Sequence, residues 1–396
     1  MLEDATGRRF DDWVAGFGSL NFGHNPAFVH RAIAAHLATN VPSLFIEALN
    51  PFAGRLAARL VRAAGPSFDT AFLCNSGSEA VETALKAACR ATGRSKIVYA
   101  DKGYHGTTLG ALGCMAKGAF RDPFAELLPA FVEVPFGEVE ALERALAAHD
   151  VAAFLLEPVQ VEAGVRIATP AYLERARRLC SDCGALLIFD EVQTGMGRTG
   201  ALFAFHALGT VPDIFALAKA LGGGIVPIGA AVMGKGIWSH AYGTYLTSEI
   251  HNSTFGGNSL CTAVGIEALE HAADPNFLAA VRGRAEMLFS ELRAALSGMK
   301  VVVRIRNLGL LGGIELRELA HPWTSWESLG LPELEGHPTN GPLLVERLAR
   351  HEIFANVCAH DWSVLRVEPP LTVSEDACRR FVDAVVESVR WLEQNG

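Results

Sequence analysis

Short apolar runs alternate with helical patterns through the first two thirds of the chain. Each run is apolar almost without interruption, as expected of strands that are covered on both faces of a sheet. The predicted strands are 70–74, 96–100, 131–135, 152–157, 185–190 and 214–218. Helical patterns lie between them, for example at 78–91, 138–149 and 170–183. This alternation predicts right-handed βαβ units, and therefore an α/β fold with a mostly parallel sheet and helices on both faces.

The pattern changes after about residue 265 and predicts a second, smaller α+β unit. Its predicted elements are a helix at 276–297, strands at 301–306 and 310–316, a helix at 343–351, a strand near 364–367 and a closing helix at 374–393. We expect three units: an N-terminal segment (1–40) that joins the small domain, a large domain (41–270) and a small C-terminal domain (271–396). The stretch 321–342, rich in Pro, Trp and Gly, is longer than ordinary loops. It is interpreted as a functional flap or as a disordered segment.

Composition narrows the class of protein. Hydrophobic residues make up 50% of the chain and charged residues 19%, which excludes a disordered or fibrous protein. The formal net charge is −9 and no basic run stands out, so neither nucleic acid nor an anionic membrane is an expected partner. The longest uncharged apolar stretch, 220–234, is short for a membrane span and is broken by glycines and a proline.

The cysteines indicate a reducing compartment rather than a metal site. Eight cysteines are scattered along the chain, as expected of free thiols in the cytoplasm. Cys180 and Cys183 have the CxxC spacing, but no second pair completes a zinc site. We therefore expect packing at a helix end for this pair, and no metal.

The segment NSGSEAVETALKAACR, at 75–90, follows a predicted strand and begins a helix. Backbone amides at such a helix start, at Ser76, Gly77 and Ser78, are suited to hold a phosphate. The alternative is an ordinary serine N-cap, with Glu82 and Lys86 as an exposed pair one helical turn apart.

Two further segments place charged groups at strand ends. Asp190 ends the run ALLIFD, and carboxylates at the carboxyl end of a parallel strand point into the ligand crevice. Lys219 follows an apolar strand and precedes a glycine cluster, and burial there would lower its pKa and free the amine as nucleophile and base. The alternatives are a solvated carboxylate at a strand end and a lysine that extends to water. The glycines do not fit GxGxxG, which excludes a dinucleotide fingerprint.

A lysine, a strand-end aspartate and a phosphate-binding helix start are together what pyridoxal 5'-phosphate requires. The chain resembles the class III (omega-type) aminotransferases over nearly all of its length. The resemblance is carried by GSEAVETALK, YHGTTLGA, EPVQVEAG, DEVQTGMGRTG, LAKALGGGIVPIGA and STFGGN, which occur in this order. Within the class, DPFAELLPAFVEVPFG and RVEPPLT are most similar to putrescine (diamine) aminotransferases. The resemblance implies fold type I, with a mostly parallel seven-stranded sheet in a large domain that binds the cofactor.

The resemblance also implies a role for each site residue. Lys219 would bind the cofactor aldehyde covalently and carry the proton, and Asp190 would pair with the ring nitrogen. Gln193 would bind the ring hydroxyl, while Tyr104 and Val192 would cover the two faces of the ring, with His105 beside Tyr104. Ser76, Gly77 and Ser78 would bind the phosphate. Thr254 would reach the phosphate of the partner subunit, which implies a homodimer with shared sites.

Glu162 and Arg366 resemble a pair of family residues that determines whether the site accepts a substrate with a carboxylate or one without. The arginine would bind a substrate carboxylate through two parallel hydrogen bonds, and the glutamate would neutralise it when a different substrate is bound. The alternative is a structural ion pair. Thr107 stands where many ornithine and acetylornithine enzymes have an arginine, which disfavours an ornithine-type reaction.

The sequence therefore predicts a cytoplasmic aminotransferase. It would move an amino group from an ω-amine, diamine or ω-amino acid to an oxo acid or aldehyde in a ping-pong cycle. The alternatives are an acetylornithine- or ornithine-type enzyme, a decarboxylase or racemase that uses the same site, and, remotely, a non-catalytic domain. The chain begins almost at the segment that starts with Asp4, so one hypothesis is that it is a domain of a longer, biosynthetic multidomain protein.

Overall fold

The computed structural model describes residues 1–46, 48–319 and 325–395. Its main feature is a sheet of seven strands with helices on both faces, as predicted. In spatial order the strands are Phe68–Cys74, Gly229–Gly234, Ile214–Leu217, Leu186–Asp190, Val151–Leu156, Lys96–Ala100 and Val132–Val134. Every residue of the interior strand Val151–Leu156 is buried, which explains why the sequence shows an uninterrupted apolar run there.

One strand of this sheet differs from the prediction. Gly229–Gly234 lies between Phe68–Cys74 and Ile214–Leu217 and is antiparallel to both. The sequence pattern predicted the other six strands but not this one, because glycine and alanine contribute most of its residues. The remaining strand pairs from Ile214–Leu217 to Val132–Val134 are parallel, so their carboxyl ends lie at one edge of the sheet.

Helices cover the sheet and the C-terminal part. The α-helices of four or more regular residues are Ala27–Leu37, Pro51–Ala64, Gly77–Thr92, Leu109–Gly113, Val139–Leu146, Pro170–Cys183, Ala204–Leu208, Ile237–Tyr242, Ser259–Ala273, Pro275–Ala295, Asn340–Arg350 and Glu375–Asn395. Short 3-10 helices are Asp122–Leu127, Lys219–Gly222 and Pro332–Leu334. Gly77–Thr92 begins after Ser76, whose Oγ accepts a hydrogen bond from the Glu79 amide, and ends at Gly93 in the left-handed conformation.

The C-terminal part has its own antiparallel sheet and its own hydrophobic core. The strands in spatial order are Val302–Leu308, Leu311–Leu316, Asp361–Val367 and Val357–Cys358. The N-terminus joins this part: Arg9–Asp12 pairs with Leu2–Glu3 and with Ile353–Phe354, and Trp13 stacks on Phe381 with ring centroids 3.6 Å apart. A two-stranded sheet, Val159–Gln160 with Arg166–Ile167, is formed by the segment that follows the strand Val151–Leu156. The exact domain boundaries stay a prediction.

The long stretch 321–342 is described from residue 325 onward, and 321–324 lie outside the described residues. Within 325–342, Trp326 packs edge to face against Trp362, and its indole Nε1 donates a hydrogen bond to the His337 carbonyl at 2.8 Å. Among the described helices, none is long and apolar enough to cross a membrane.

Candidate active site

A cleft of about 500 Å³ opens at the carboxyl edge of the large sheet. This is the edge at which ligands bind in open α/β sheets. Nine of the predicted site residues line it: Ser76, Gly77, Ser78, Tyr104, His105, Asp190, Val192, Gln193 and Lys219. Each follows a strand end or begins the helix Gly77–Thr92, so the parallel topology brings together segments that are far apart in the chain. Thr254, Glu162 and Arg366 do not line this cleft.

Lys219 holds an unusual backbone conformation at the base of the cleft. Its φ of 46° lies in the left-handed region, which a non-glycine residue adopts at a cost of about 1 kcal/mol or more. Such strain is concentrated at functional sites. The ammonium Nζ donates a hydrogen bond to Gln193 Oε1 at 2.8 Å. Burial lowers the pKa of Lys219, and this favours the neutral amine that nucleophilic attack requires.

Asp190 is buried and held in place from two sides. Its Oδ2 lies 2.8 Å from Nδ1 of His105, and its Oδ1 accepts a hydrogen bond from the Val192 amide at 3.0 Å. The His105 ring is buried, and its Nε2 has no hydrogen-bond partner in the described part of the chain. A carboxylate fixed in this way is suited to pair with a protonated ring nitrogen in the cleft.

The start of helix Gly77–Thr92 has the geometry of an anion cradle. The first amides of a helix have no acceptor within the helix, so those of Gly77 and Ser78 are available to a ligand. The turn is tightly packed: a Cβ at Gly106 would lie 2.0 Å from Ser78 Oγ, and one at Gly77 would lie 3.0 Å from Val192. Ser76 caps the helix, so the N-cap interpretation holds for that residue while the neighbouring amides remain suited to a phosphate.

Glu162 and Arg366 form the expected pair. Arg366 Nη2 donates to Glu162 Oε2, and both side chains are at least nine-tenths buried. Glu162 Oε2 also accepts a hydrogen bond from the Ala359 amide at 2.9 Å. Arg366 Nε and Nη1 have no hydrogen-bond partner among the described residues, so part of the hydrogen-bonding capacity of the guanidinium is unused.

Sequence reasoning missed Glu368, which completes this cluster. Its buried carboxylate accepts hydrogen bonds from Gln193 Nε2, and lies 3.6 Å from Arg366 Nη1 and 4.0 Å from Arg198 Nε. A Cβ at Gly18 would lie 2.8 Å from Glu368 Oε1, so the close approach of the N-terminal segment requires glycine there. The signal was present in the sequence, because Glu368 directly follows the strand Asp361–Val367 and is two residues from Arg366, the spacing at which extended residues point to the same side.

Two more buried carboxyls lie close to the site residues: Glu157 lines the cleft, and Glu191 follows Asp190 in the chain. Glu157 accepts a hydrogen bond from the Tyr104 amide at 2.8 Å, and burial together with the nearby Asp190 charge raises its pKa well above the ordinary value. Burial also raises the pKa of Glu191 to about 7, although the amides of Ala204 and Phe205 donate to its carboxylate. Glu191 thus holds the start of the helix Ala204–Leu208, whereas Glu157 fixes the backbone of Tyr104.

The comparisons with known proteins agree with this geometry. The sequence model of the family described as aminotransferase class-III matches residues 1–389. The chain therefore belongs to the class III aminotransferases, a family that depends on pyridoxal 5'-phosphate, and the lysine, aspartate and anion cradle of the cleft fit that cofactor.

Individual relatives share both sequence and fold. The chain is 36% identical to "Aminotransferase PigE" of Serratia sp. (strain ATCC 39006), across 97% of this chain and 49% of that protein. It thus spans about half the length of this curated relative. Among solved structures it is similar to the ornithine aminotransferase of Toxoplasma gondii ME49, with 30% identity, a TM-score of 0.87, and 100% and 89% of the two chains covered. The ornithine delta-aminotransferase of Plasmodium falciparum matches with 26% identity and a TM-score of 0.81, covering 100% and 92%.

Proposed function

We propose that the chain catalyses pyridoxal-phosphate-dependent transamination. The amino group would move from an ω-amine, diamine or ω-amino acid donor to an oxo acid or aldehyde acceptor in a ping-pong cycle. The observation that carries this proposal is that Lys219, Asp190 and the anion cradle at the start of helix Gly77–Thr92 line the same cleft.

The bound cofactor supplies an aldehyde that captures amines and a ring that stabilises negative charge on the substrate carbon. Gly77 and Ser78 would hold its phosphate, and Tyr104 and Val192 would cover the two faces of the ring. Asp190 would keep the ring nitrogen protonated, and His105 orients that carboxylate. Gln193, whose Oε1 accepts a hydrogen bond from Lys219 Nζ, would share a hydrogen bond with the ring hydroxyl.

Lys219 would act as the general base and acid. Once the donor has displaced it from the cofactor, its neutral amine would take the proton from the carbon that bears the substrate nitrogen and return it on the cofactor side. Its lowered pKa supports this role, because the free amine is then available closer to neutral pH. Gln193 Oε1 accepts a hydrogen bond from Lys219 Nζ and would orient this amine while it carries the proton.

The pair of Glu162 and Arg366 supports two substrates of different charge. With Glu162 bonded to Arg366, the arginine is neutralised and a neutral or cationic tail is accepted. When Glu162 turns away, Arg366 would bind the carboxylate of an oxo acid. Thr107, which lines the cleft, offers no charge for a second carboxylate, which supports an ω-amine over ornithine. The likeness to ornithine aminotransferases favours the ornithine-type reaction as the second candidate.

We further propose a cytoplasmic homodimer with shared sites. Thr254 is exposed and lies outside the cleft of its own chain, which suits a contact with the partner's phosphate. Its neighbour Ser253 accepts a hydrogen bond from Asn75 Nδ2 at 2.8 Å, so this segment is anchored beside the cradle. Because PigE is about twice as long, the chain is proposed to work with further domains of a biosynthetic protein.

The proposal is tested by a spectrophotometric half-reaction with a panel of donors: putrescine, ornithine, acetylornithine and simple ω-amines. Transamination converts the bound cofactor stoichiometrically to its pyridoxamine form, whereas a decarboxylase or racemase regenerates the aldehyde form. Regeneration with every donor would overturn the proposal, and a clear preference for ornithine would select the second candidate.

A further inference from the structure

The segment 244–254 carries Thr254, and we name it the Thr254 segment. It consists of turns and bends rather than a helix or strand, so its position relative to the rest of the chain depends on side-chain contacts. One contact is the hydrogen bond from Asn75 to Ser253 at 2.8 Å. Another is made by His251, and it differs from the first because the charge of a histidine can change near neutral pH.

His251 is bonded to the helix Gly77–Thr92 through both ring nitrogens. Its Nδ1 lies 2.9 Å from Lys86 Nζ, and its Nε2 lies 2.8 Å from Thr83 Oγ1. An ammonium group has no acceptor, so Lys86 donates and Nδ1 accepts. The ring proton therefore lies on Nε2 and is donated to Thr83, whose hydroxyl in turn donates to the Glu79 carbonyl at 2.7 Å. This chain of hydrogen bonds is complete only when the ring of His251 is neutral.

Aromatic rings hold the histidine ring as well. The Phe72 centroid lies 4.7 Å from that of His251, and the Tyr242 centroid lies 6.0 Å from it, with the two planes 21° apart. Phe72 belongs to the strand Phe68–Cys74, which leads into the anion cradle. The Thr254 segment is therefore attached to the same strand and helix that form the cradle.

The charges around the ring favour its neutral form. Burial lowers the pKa of His251, and the Lys86 charge lowers it further, whereas the nearby carboxylates of Glu82 and Glu79 act in the opposite direction. The Tyr242 hydroxyl adds no charge, because burial raises its pKa. A second ring proton would lie on Nδ1, directly opposite the Lys86 ammonium. The contact therefore stabilises the Thr254 segment fully above the ordinary histidine pKa of about 6.5, and this contribution is lost as the pH falls below that value.

We propose that His251 is a positioning residue for the cofactor: its neutral ring, bonded to Lys86 and Thr83, holds Thr254 where it reaches the phosphate bound by the partner subunit. This inference rests on the proposed shared sites, and it adds to them a second residue and a dependence on pH. His251 itself does not touch the phosphate in this arrangement and acts through Thr254.

The first test is hydrogen exchange of the backbone amides of 244–254 in the full-length protein, at about pH 7.5 and 5.5, corrected for intrinsic exchange. At the lower pH, one unit below the ordinary histidine pKa, a released ring gains a proton, so the segment should open about tenfold more often. His251→Gln keeps an acceptor for Lys86 and a donor for Thr83 but cannot gain a proton, so it should lose this pH dependence. His240→Gln, at an exposed histidine of the preceding helix, is the control and should keep it. Equal pH dependence in the wild type and in His251→Gln would overturn the proposal.

The second test measures the binding of pyridoxamine 5'-phosphate, which has no aldehyde and cannot bond covalently to Lys219. His251→Leu should raise its dissociation constant at least about fivefold, which is part of what a hydrogen bond from Thr254 to a charged phosphate contributes. His251→Gln should stay within about twofold of the wild type. Pyridoxamine, which lacks the phosphate, should bind equally to all three proteins. A loss shared equally by both ligands would mean that His251 only supports the fold, and would overturn the proposal.

The third test shows whether His251 acts through Thr254. In the Thr254→Ala background, His251→Leu should not weaken the binding of pyridoxamine 5'-phosphate further, because the contact that it controls is already lost. Additive losses would overturn the proposal. None of the three tests includes an amine donor or an acceptor, so failure of the donor panel would count against transamination alone, and failure here would leave transamination standing. If His251→Leu does not fold, the exchange measurements on the wild type and His251→Gln decide.

Discussion

The side-chain amide of Gln193 donates hydrogen bonds to both oxygens of the Glu368 carboxylate, at 3.1 and 3.0 Å. Because the amide nitrogen is held in this way, the amide oxygen faces Lys219 Nζ. Glu368 thus positions the residue that orients the lysine, and its charge raises the pKa of Lys219 against the larger lowering by burial. The same carboxylate stands between Arg198 and Arg366, so positive and negative groups alternate from Arg198 to Glu162.

Glu368→Gln should therefore have two measurable effects. An acceptor for Gln193 remains while one negative charge is lost, so the pKa of Lys219 should fall further. The lower pKa of Lys219 is measured from the pH dependence of the rate at which the apoprotein binds pyridoxal 5'-phosphate covalently. Binding of 2-oxoglutarate should also strengthen by about tenfold, or ~1.4 kcal/mol, because a like charge near Arg366 is removed. Glu315→Gln, on the neighbouring strand, is the control. An unchanged pH profile with unchanged 2-oxoglutarate affinity would make Glu368 purely structural.

Lys219→Ala should retain the cofactor only weakly, without a covalent bond, and should lose at least ~10³ in turnover. Both the covalent attachment and the proton transfer depend on this amine. Lys235→Ala, at a lysine outside the cleft, is the control and should behave as wild type. The measurement is the half-reaction rate together with the absorbance of the bound cofactor. Turnover within tenfold of wild type would refute the assignment of Lys219.

Much of the fold was readable from the sequence because burial imposes a simple pattern. The strands Val151–Leu156 and Ile214–Leu217 are covered on both faces, so their residues are continuously apolar. Gly229–Gly234 was not readable, because its small residues serve close packing between two neighbours: a Cβ at Gly229 would lie 2.3 Å from the Ser76 carbonyl oxygen. Such a requirement depends on tertiary contacts and has no local signal.

The site, too, contains residues whose positions could be predicted from the sequence and residues whose positions could not. Asp190 and Lys219 stand at ends of predicted strands, so topology alone brings them together. The position of Phe17 depends instead on a turn in which Ala15, Gly16, Phe17 and Gly18 all have positive φ. Only the two glycines favour this conformation, so the sequence gives little basis for predicting the turn. This turn places Phe17 over Arg366, a contact that the sequence pattern does not predict.

Asp190→Asn should leave the fold intact and slow the deprotonation step. Without the carboxylate the ring nitrogen would lose its proton, and the ring would stabilise negative charge less well. His105 would also lose its charged partner, so the ring of His105 should become more mobile. Single-turnover kinetics with the preferred amine measure the effect, and circular dichroism checks the fold. A wild-type single-turnover rate would contradict the proposed role of Asp190.

Thr254→Ala should weaken cofactor binding through the partner subunit. Loss of one hydrogen bond to a charged phosphate costs about 1.5–3 kcal/mol, so the dissociation constant of the cofactor should rise about tenfold or more. Mixed dimers of Thr254→Ala and Lys219→Ala subunits locate the effect, since shared sites make one site carry both defects and the other site neither. If each site instead behaved as the product of a single chain, the shared-site proposal would be wrong.

Arg366→Ala should separate the two half-reactions. The arginine would bind the carboxylate of an oxo acid acceptor, whereas Glu162 neutralises it when an amine with an uncharged or cationic tail is bound. The specificity constant for a dicarboxylate acceptor should therefore fall by about 2–4 kcal/mol, and that for an amine donor by much less. Arg366→Lys keeps the positive charge but lacks the planar guanidinium that binds a carboxylate through two hydrogen bonds. It should therefore recover only part of the specificity constant that the alanine variant loses for the dicarboxylate acceptor. Because the alanine variant leaves Glu162 and Glu368 without their shared partner, thermal unfolding must be measured alongside. Equal losses in both half-reactions, with a matching loss of stability, would mean that Arg366 holds the structure together and does not select the substrate.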